Sequence, residues 1–77
     1  MSIKVRYFAS LREKMGREED QLDALGVNTV ADVWTRAARG QAMPPNTLAA
    51  VNLEYGDLTT SVADGDEVAF FPPVTGG

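Results

Sequence analysis

Neither cysteine nor histidine occurs in this chain of 77 residues, and that double absence limits how it can hold itself together. A single core is barely sufficient at this length, and domains of this size commonly lean on disulfides, a structural metal or a partner. Without thiols, disulfides and thiolate metal sites are excluded. Without imidazole, the commonest general base and metal ligand is missing, and nucleophilic triads go with it. The fold must therefore come from strands and helices whose apolar faces match. Apolar residues make up 44% of the sequence, the share of an ordinary folded protein and well above that of a disordered one.

Periodicity supplies those elements. Ile3, Val5 and Tyr7 alternate with Lys4, Arg6 and Phe8, the period-two pattern of a half-buried strand. Ser10-Leu11-Arg12-Glu13 reads as a capping box opening a short helix, with Leu11 and Met15 one turn apart and Gly16 as its stop. A second strand, at an edge, is expected over residues 19–25. Thr29, with Asp32 three residues on, caps the main helix; Val30, Val33, Trp34 and Ala37 repeat at helical spacing, and Gly40 ends it. Met43-Pro44-Pro45-Asn46 lies in a loop, residues 48–53 form an apolar strand, and Glu54-Tyr55-Gly56-Asp57 turns the chain. Residues 58–62 are an irregular connection or a short edge strand, and Asp64-Gly65-Asp66 turns tightly into a last strand over residues 67–71.

These elements predict an α+β layout, with one mixed sheet of four to five strands packed on one main helix and the first and last strands parallel at its centre. That is the β-grasp, or ubiquitin-like, arrangement. No internal repeat or linker divides it, so residues 1–73 form one domain and residues 74–77 a mobile tail. Side-chain parity turns Ile3, Val5, Tyr7, Val68 and Phe70 toward the helix and Phe71 to the opposite face. Phe8 either joins Phe71 there or folds under the short helix. The helical register of Trp34 makes it core. Asp64, Asp66 and Glu67 are explained by turn chemistry, so no metal site is expected.

Net charge is −4, and all seven basic residues fall between Lys4 and Arg39, leaving five acids and no base in residues 40–77. Nucleic acid is not an expected partner, because phosphate binding needs a basic face. No apolar run approaches the roughly 18 residues of a membrane helix and the start lacks a signal-peptide pattern, so a cytoplasmic location is expected. The acidic half suggests that the site receiving this end of the chain is basic. The end itself is the most distinctive feature: Gly76-Gly77 follows a diproline, Pro72-Pro73, that directs the chain away from the sheet. Extended, Val74, Thr75, Gly76 and Gly77 span roughly 13 to 14 Å, enough to enter a narrow site.

The run Asp64-Gly65-Asp66-Glu67-Val68-Ala69-Phe70-Phe71-Pro72-Pro73-Val74-Thr75-Gly76-Gly77 resembles the MoaD/ThiS family of ubiquitin-like proteins, and within it the sulfur-carrying small subunits of molybdopterin synthase. Ile3-Lys4-Val5-Arg6-Tyr7-Phe8-Ala9, Leu11-Arg12-Glu13, Thr29-Val30 and Leu48-Ala49-Ala50-Val51-Asn52 fit the family pattern in the same order, so the likeness covers nearly the whole chain. Gly-Gly alone is common to all such carriers, including those of thiazole synthesis; Phe-Phe-Pro-Pro-Val is closer to the molybdopterin branch.

The resemblance implies a sulfur carrier in molybdenum cofactor biosynthesis that is not an enzyme by itself and binds no cofactor. An ATP-using adenylating enzyme would attach AMP transiently to the Gly77 carboxylate, and a sulfur donor would convert this glycyl adenylate to a thiocarboxylate. The tail, with Gly76, Thr75 and Val74, would then enter the large catalytic subunit, within a heterotetramer of two large and two small subunits, and give sulfur to the cyclic pyranopterin precursor. Docking would use Phe8, Tyr55 and Phe71, with Tyr55 standing where the family more often has an aliphatic residue. The alternatives are a carrier for thiazole or another pathway, a ubiquitin-like modifier joined through Gly77 to lysines, or a plain interaction domain.

Overall fold

β1 (Ser2–Tyr7) buries Ile3, Val5 and Tyr7, each at most 2% exposed, and leaves Lys4 and Arg6 on its other face, as the alternation predicts. The structure is a computed structural model that describes residues 1–73, so the expectations for Val74, Thr75, Gly76 and Gly77 lie outside it. β1 pairs antiparallel with β2 (Glu19–Asp23) on one side and parallel with β5 (Glu67–Phe71) on the other. β5 pairs in turn with β3 (Leu48–Val51), and β3 with β4 (Glu54–Gly56), giving a five-stranded sheet of order β2-β1-β5-β3-β4. The first and last strands lie side by side in the middle, as expected of a β-grasp, and β2 is the predicted edge.

α2 (Val30–Ala38) covers one face of this sheet. Its start is fixed by the capping box read from sequence. The Thr29 hydroxyl accepts from the Asp32 amide at 3.3 Å, and the Asp32 carboxylate accepts from the Thr29 and Asn28 amides at 3.1 and 3.0 Å. The Val30 and Ala31 amides, which have no partner within the helix, donate to the carbonyls of Thr60 and Leu58. The irregular stretch before β5 is thus what anchors the helix N-terminus. Between sheet and helix lie Ile3, Val5, Val30, Val33, Val68 and Phe70, all fully buried, with Trp34 edge-on to Phe70 at 5.1 Å. Trp34 is core, and its indole N–H donates to the Gln41 carbonyl.

Three local expectations need correction. Ser10 does not cap α1 (Ser10–Met15): it is the first helical residue, and the cap position belongs to Ala9, whose side chain offers no acceptor. The cause is a turn tighter than the sequence suggests. The Phe8 amide still bonds to β5 while its carbonyl already accepts from Leu11, which forces Ala9 to φ 53°. Second, Glu54-Tyr55-Gly56 is strand, and the turn falls earlier. Asn52 and Leu53, both at positive φ, form a two-residue hairpin loop between the paired residues Val51 and Glu54, as strand twist favours. Third, α2 gives way one residue before Gly40, at Arg39, which is itself left-handed.

Candidate functional site

α2 shields one face of the sheet; the other is open, and side-chain parity decides what lies on it. In β5, Val68 and Phe70 turn to the core while Phe71, in the next position, turns out and is half-buried. Leu48 in β3 stands opposite Phe71, and Ala50 stands between Ala69 of β5 and Tyr55 of β4. Tyr55, 77% exposed, tilts against Phe71 with ring centroids 5.8 Å apart. Phe8 is tied to β5 through its amide, which donates to the Phe70 carbonyl at 3.1 Å. Its ring is 42% exposed and carries the Arg6 guanidinium at 5.4 Å, so it lies on the open face and not under α1.

The three residues proposed for docking thus share one face. Tyr55 and Phe71 are in contact, and Phe8 and Phe71 extend the central parallel pair, Tyr7 and Phe70, by one residue each. Because β5 ends at Phe71, the aromatics lie where the strand hands the chain to Pro72 and Pro73. Sequence reasoning did not single out Leu48 or Arg6 as part of this surface. The alternation marked Arg6 as outward, but only the strand register shows it bordering the aromatics.

Charge is distributed unevenly along the sheet. Asp64, Asp66 and Glu67 sit where β5 begins, and Glu54 pairs with Val51, which faces Val68, so it lies toward that end too. Although the Glu67 carboxylate reaches to 3.7 Å from Arg6, beside the aromatics, four of the five acids of residues 40–77 thus gather where β5 begins. They stabilise turns there. The Asp66 carboxyl is held below the usual carboxylate range by hydrogen bonds from the Asn52 amide group and the Ala63 backbone. Asn52 also receives the Glu67 amide, which locks the hairpin loop to the start of β5. Among the described residues no group of three or more His, Cys, Asp or Glu could hold a metal, and no helix is long and apolar enough to cross a membrane.

A model of the ThiS family matches residues 5–77, almost the entire sequence. The chain belongs to the ThiS family. Among relatives of this ThiS-family chain, the molybdopterin synthase sulfur carrier subunit of Escherichia coli is 39% identical over 97% of this chain and 99% of that protein. The likeness to the molybdopterin branch read from Phe-Phe-Pro-Pro-Val is therefore borne out. Crystalline SAMP1 of Haloferax volcanii, a small archaeal modifier protein, superposes with a TM-score of 0.77 at 29% identity, with both chains fully covered. A complex of subunits 1 and 2 of molybdopterin-converting factor from Helicobacter pylori contains a chain similar at 25% identity and a TM-score of 0.69, again over the whole of both chains.

Proposed function

We propose that this chain is the sulfur carrier of molybdenum cofactor biosynthesis, the small subunit of a molybdopterin synthase, acting in the cytoplasm. The observation that carries the reading is its 39% identity to the Escherichia coli sulfur carrier subunit over nearly the full length of both. The chemistry is consistent with the residues at hand. A chain with no cysteine cannot carry sulfur on a side-chain thiolate, which accords with the family likeness that assigns the carrier role to the carboxylate of Gly77. A carboxylate is a poor acyl donor, so an adenylating enzyme first joins it to AMP at the expense of ATP. Sulfur from a donor then adds at the acyl carbon and AMP leaves. The thiocarboxylate is ionised near neutral pH and is nucleophilic without a neighbouring base.

Transfer takes place in the large subunit, which supplies the catalytic side chains; the small subunit contributes position. Phe8, Tyr55 and Phe71 seat the open face on the partner, and residues 74–77 thread toward the cyclic pyranopterin precursor. Gly76 and Gly77 suit that path because they put no side chain in a narrow channel. A dithiolene holds two sulfurs, so each product consumes two loaded carriers, in keeping with an assembly of two small and two large subunits. The carrier itself holds no cofactor.

The likeness to an archaeal modifier protein favours a second reading, in which the activated Gly77 acylates a lysine of a target protein. Reconstitution separates the two. With the adenylating enzyme, ATP, a sulfur donor, the large subunit and the precursor, the carrier reading predicts dithiolene product at two carriers per molecule. Lysine-linked conjugates without transfer to the precursor would overturn it in favour of the modifier.

A further inference from the structure

The two arginines nearest the aromatic core and patch use their guanidinium groups in opposite ways. Arg17 is fully engaged: it pairs with Asp20, donates to the Met15 and Ala37 carbonyls, and lies 5.6 Å from the Tyr7 ring. It ties the α1–β2 connection to the last turn of α2 and is part of the framework. Arg6 makes no side-chain hydrogen bond among the described residues. Its one ionic neighbour, Glu67, is 3.7 Å away, beyond the roughly 2.7 to 2.9 Å of a charge-assisted hydrogen bond. Yet Arg6 is held in place, stacked at 5.4 Å from Phe8 on the same open face and opposite Ala69, which adjoins Phe71. A guanidinium braced on an aromatic ring, half-exposed and with no hydrogen bond among the described residues, is preorganised for a planar anionic acceptor.

We propose that Arg6 is a specificity-determining residue of the docking face and receives a carboxylate, from an Asp or Glu side chain, of the large subunit that seats on Phe8, Tyr55 and Phe71. This rests on the function proposed above. Covering Phe8 also covers Arg6, and a guanidinium removed from water must be matched by an acceptor or binding is lost. Glu67 cannot serve that role alone, because its distance leaves the bidentate fork empty. The partner carboxylate therefore fixes the register of the seated domain and discriminates against surfaces that offer only an apolar match.

The test measures affinity and its salt dependence for the full chain with its cognate large subunit, comparing Arg6→Leu, Arg6→Lys and Phe71→Ala with the control Lys4→Leu. Lys4 lies two residues away on the same face and pairs with Glu19 at 3.4 Å. Arg6→Leu keeps an apolar group against Phe8 and is expected to weaken binding by about tenfold or more and flatten the salt dependence, mainly through faster dissociation. Arg6→Lys should keep the salt dependence at lower affinity, and Lys4→Leu should bind within about twofold of the unaltered chain. If Arg6→Leu behaves as Lys4→Leu does while Phe71→Ala weakens binding, the role of Arg6 is overturned and the proposed docking stands. If the unaltered chain does not bind the large subunit, both are overturned.

Discussion

Phe70→Ala and Phe71→Ala remove the same atoms from adjacent positions, but the sheet gives the two rings different tasks. Phe70 is fully buried against Tyr7 and Trp34, so its loss should cost about 3 to 5 kcal/mol. Total stability is about 5 to 15 kcal/mol for folded domains, and a chain this short belongs near the bottom of that range, so Phe70→Ala should keep at most about 2 kcal/mol and unfold at far lower urea concentration than the unaltered chain. Phe71→Ala should cost on the order of 1 kcal/mol and leave a cooperative transition while weakening partner binding. A second residue-scale prediction concerns Tyr7, whose hydroxyl donates to Asp20 at 2.8 Å. Burial, followed by that hydrogen bond and the Asp20 charge, raises its pKa far above the ordinary tyrosine value. Below about pH 10, where tyrosine in the unfolded chain is also neutral, this stabilisation is fully present. At higher pH the unfolded chain releases a proton that the folded one retains, so stability falls as pH climbs toward the folded-state value. Denaturant midpoints measured from pH 8 to 11 should show this fall in the unaltered chain and a shallower one in Tyr7→Phe.

Elements with strong periodicity and side-chain caps were legible in the sequence; those shaped by their connections were not. The Thr29 cap, the α2 register and the inward faces of β1 and β5 follow from apolar spacing and local hydrogen bonding, and the structure places each as read. The β3–β4 hairpin was misplaced because Tyr55-Gly56-Asp57 carries turn residues, whereas the true loop contains Leu53, a poor residue for positive φ. Asn52 compensates by bonding Asp66 and the Glu67 amide, a pairing between distant segments that no local pattern reveals. Leu53 is 91% exposed at φ 72°, so it contributes nothing to the core and strains its backbone. Leu53→Gly should relieve that strain and raise stability by up to about 1 kcal/mol, read as a higher midpoint in thermal or denaturant unfolding. A lower midpoint would mean that ordering the more flexible glycine outweighs the relief. The α1 start was misread for a related reason: the β5 bond to Phe8 dictates the turn, and Ser10 is carried into the helix.

At the scale of the molecule, the sheet order turns a linear sequence into a domain with one covered face and one open face. Phe8, Tyr55 and Phe71, separated along the chain, share the open face because β5 lies between β1 and β3, and Tyr55 touches Phe71 there. The docking role of these three came from a family likeness; the register shows only why they share a face, with Leu48 and Arg6 beside them. The same topology gathers most acids of residues 40–77 where β5 begins, with the Glu67 carboxylate reaching Arg6 beside the aromatics. What unites these features, on the function proposed above, is a domain that would present residues 74–77 to other proteins and keep its own chemistry at Gly77. Intact-mass spectrometry of the full chain, after incubation with its adenylating enzyme, ATP and a sulfur donor, tests that claim most directly. The account predicts exchange of one oxygen for sulfur, located at Gly77 by fragmentation and abolished or strongly reduced in Gly77→Ala. An unaltered mass with an active adenylating enzyme, or sulfur located at any other residue, would contradict it.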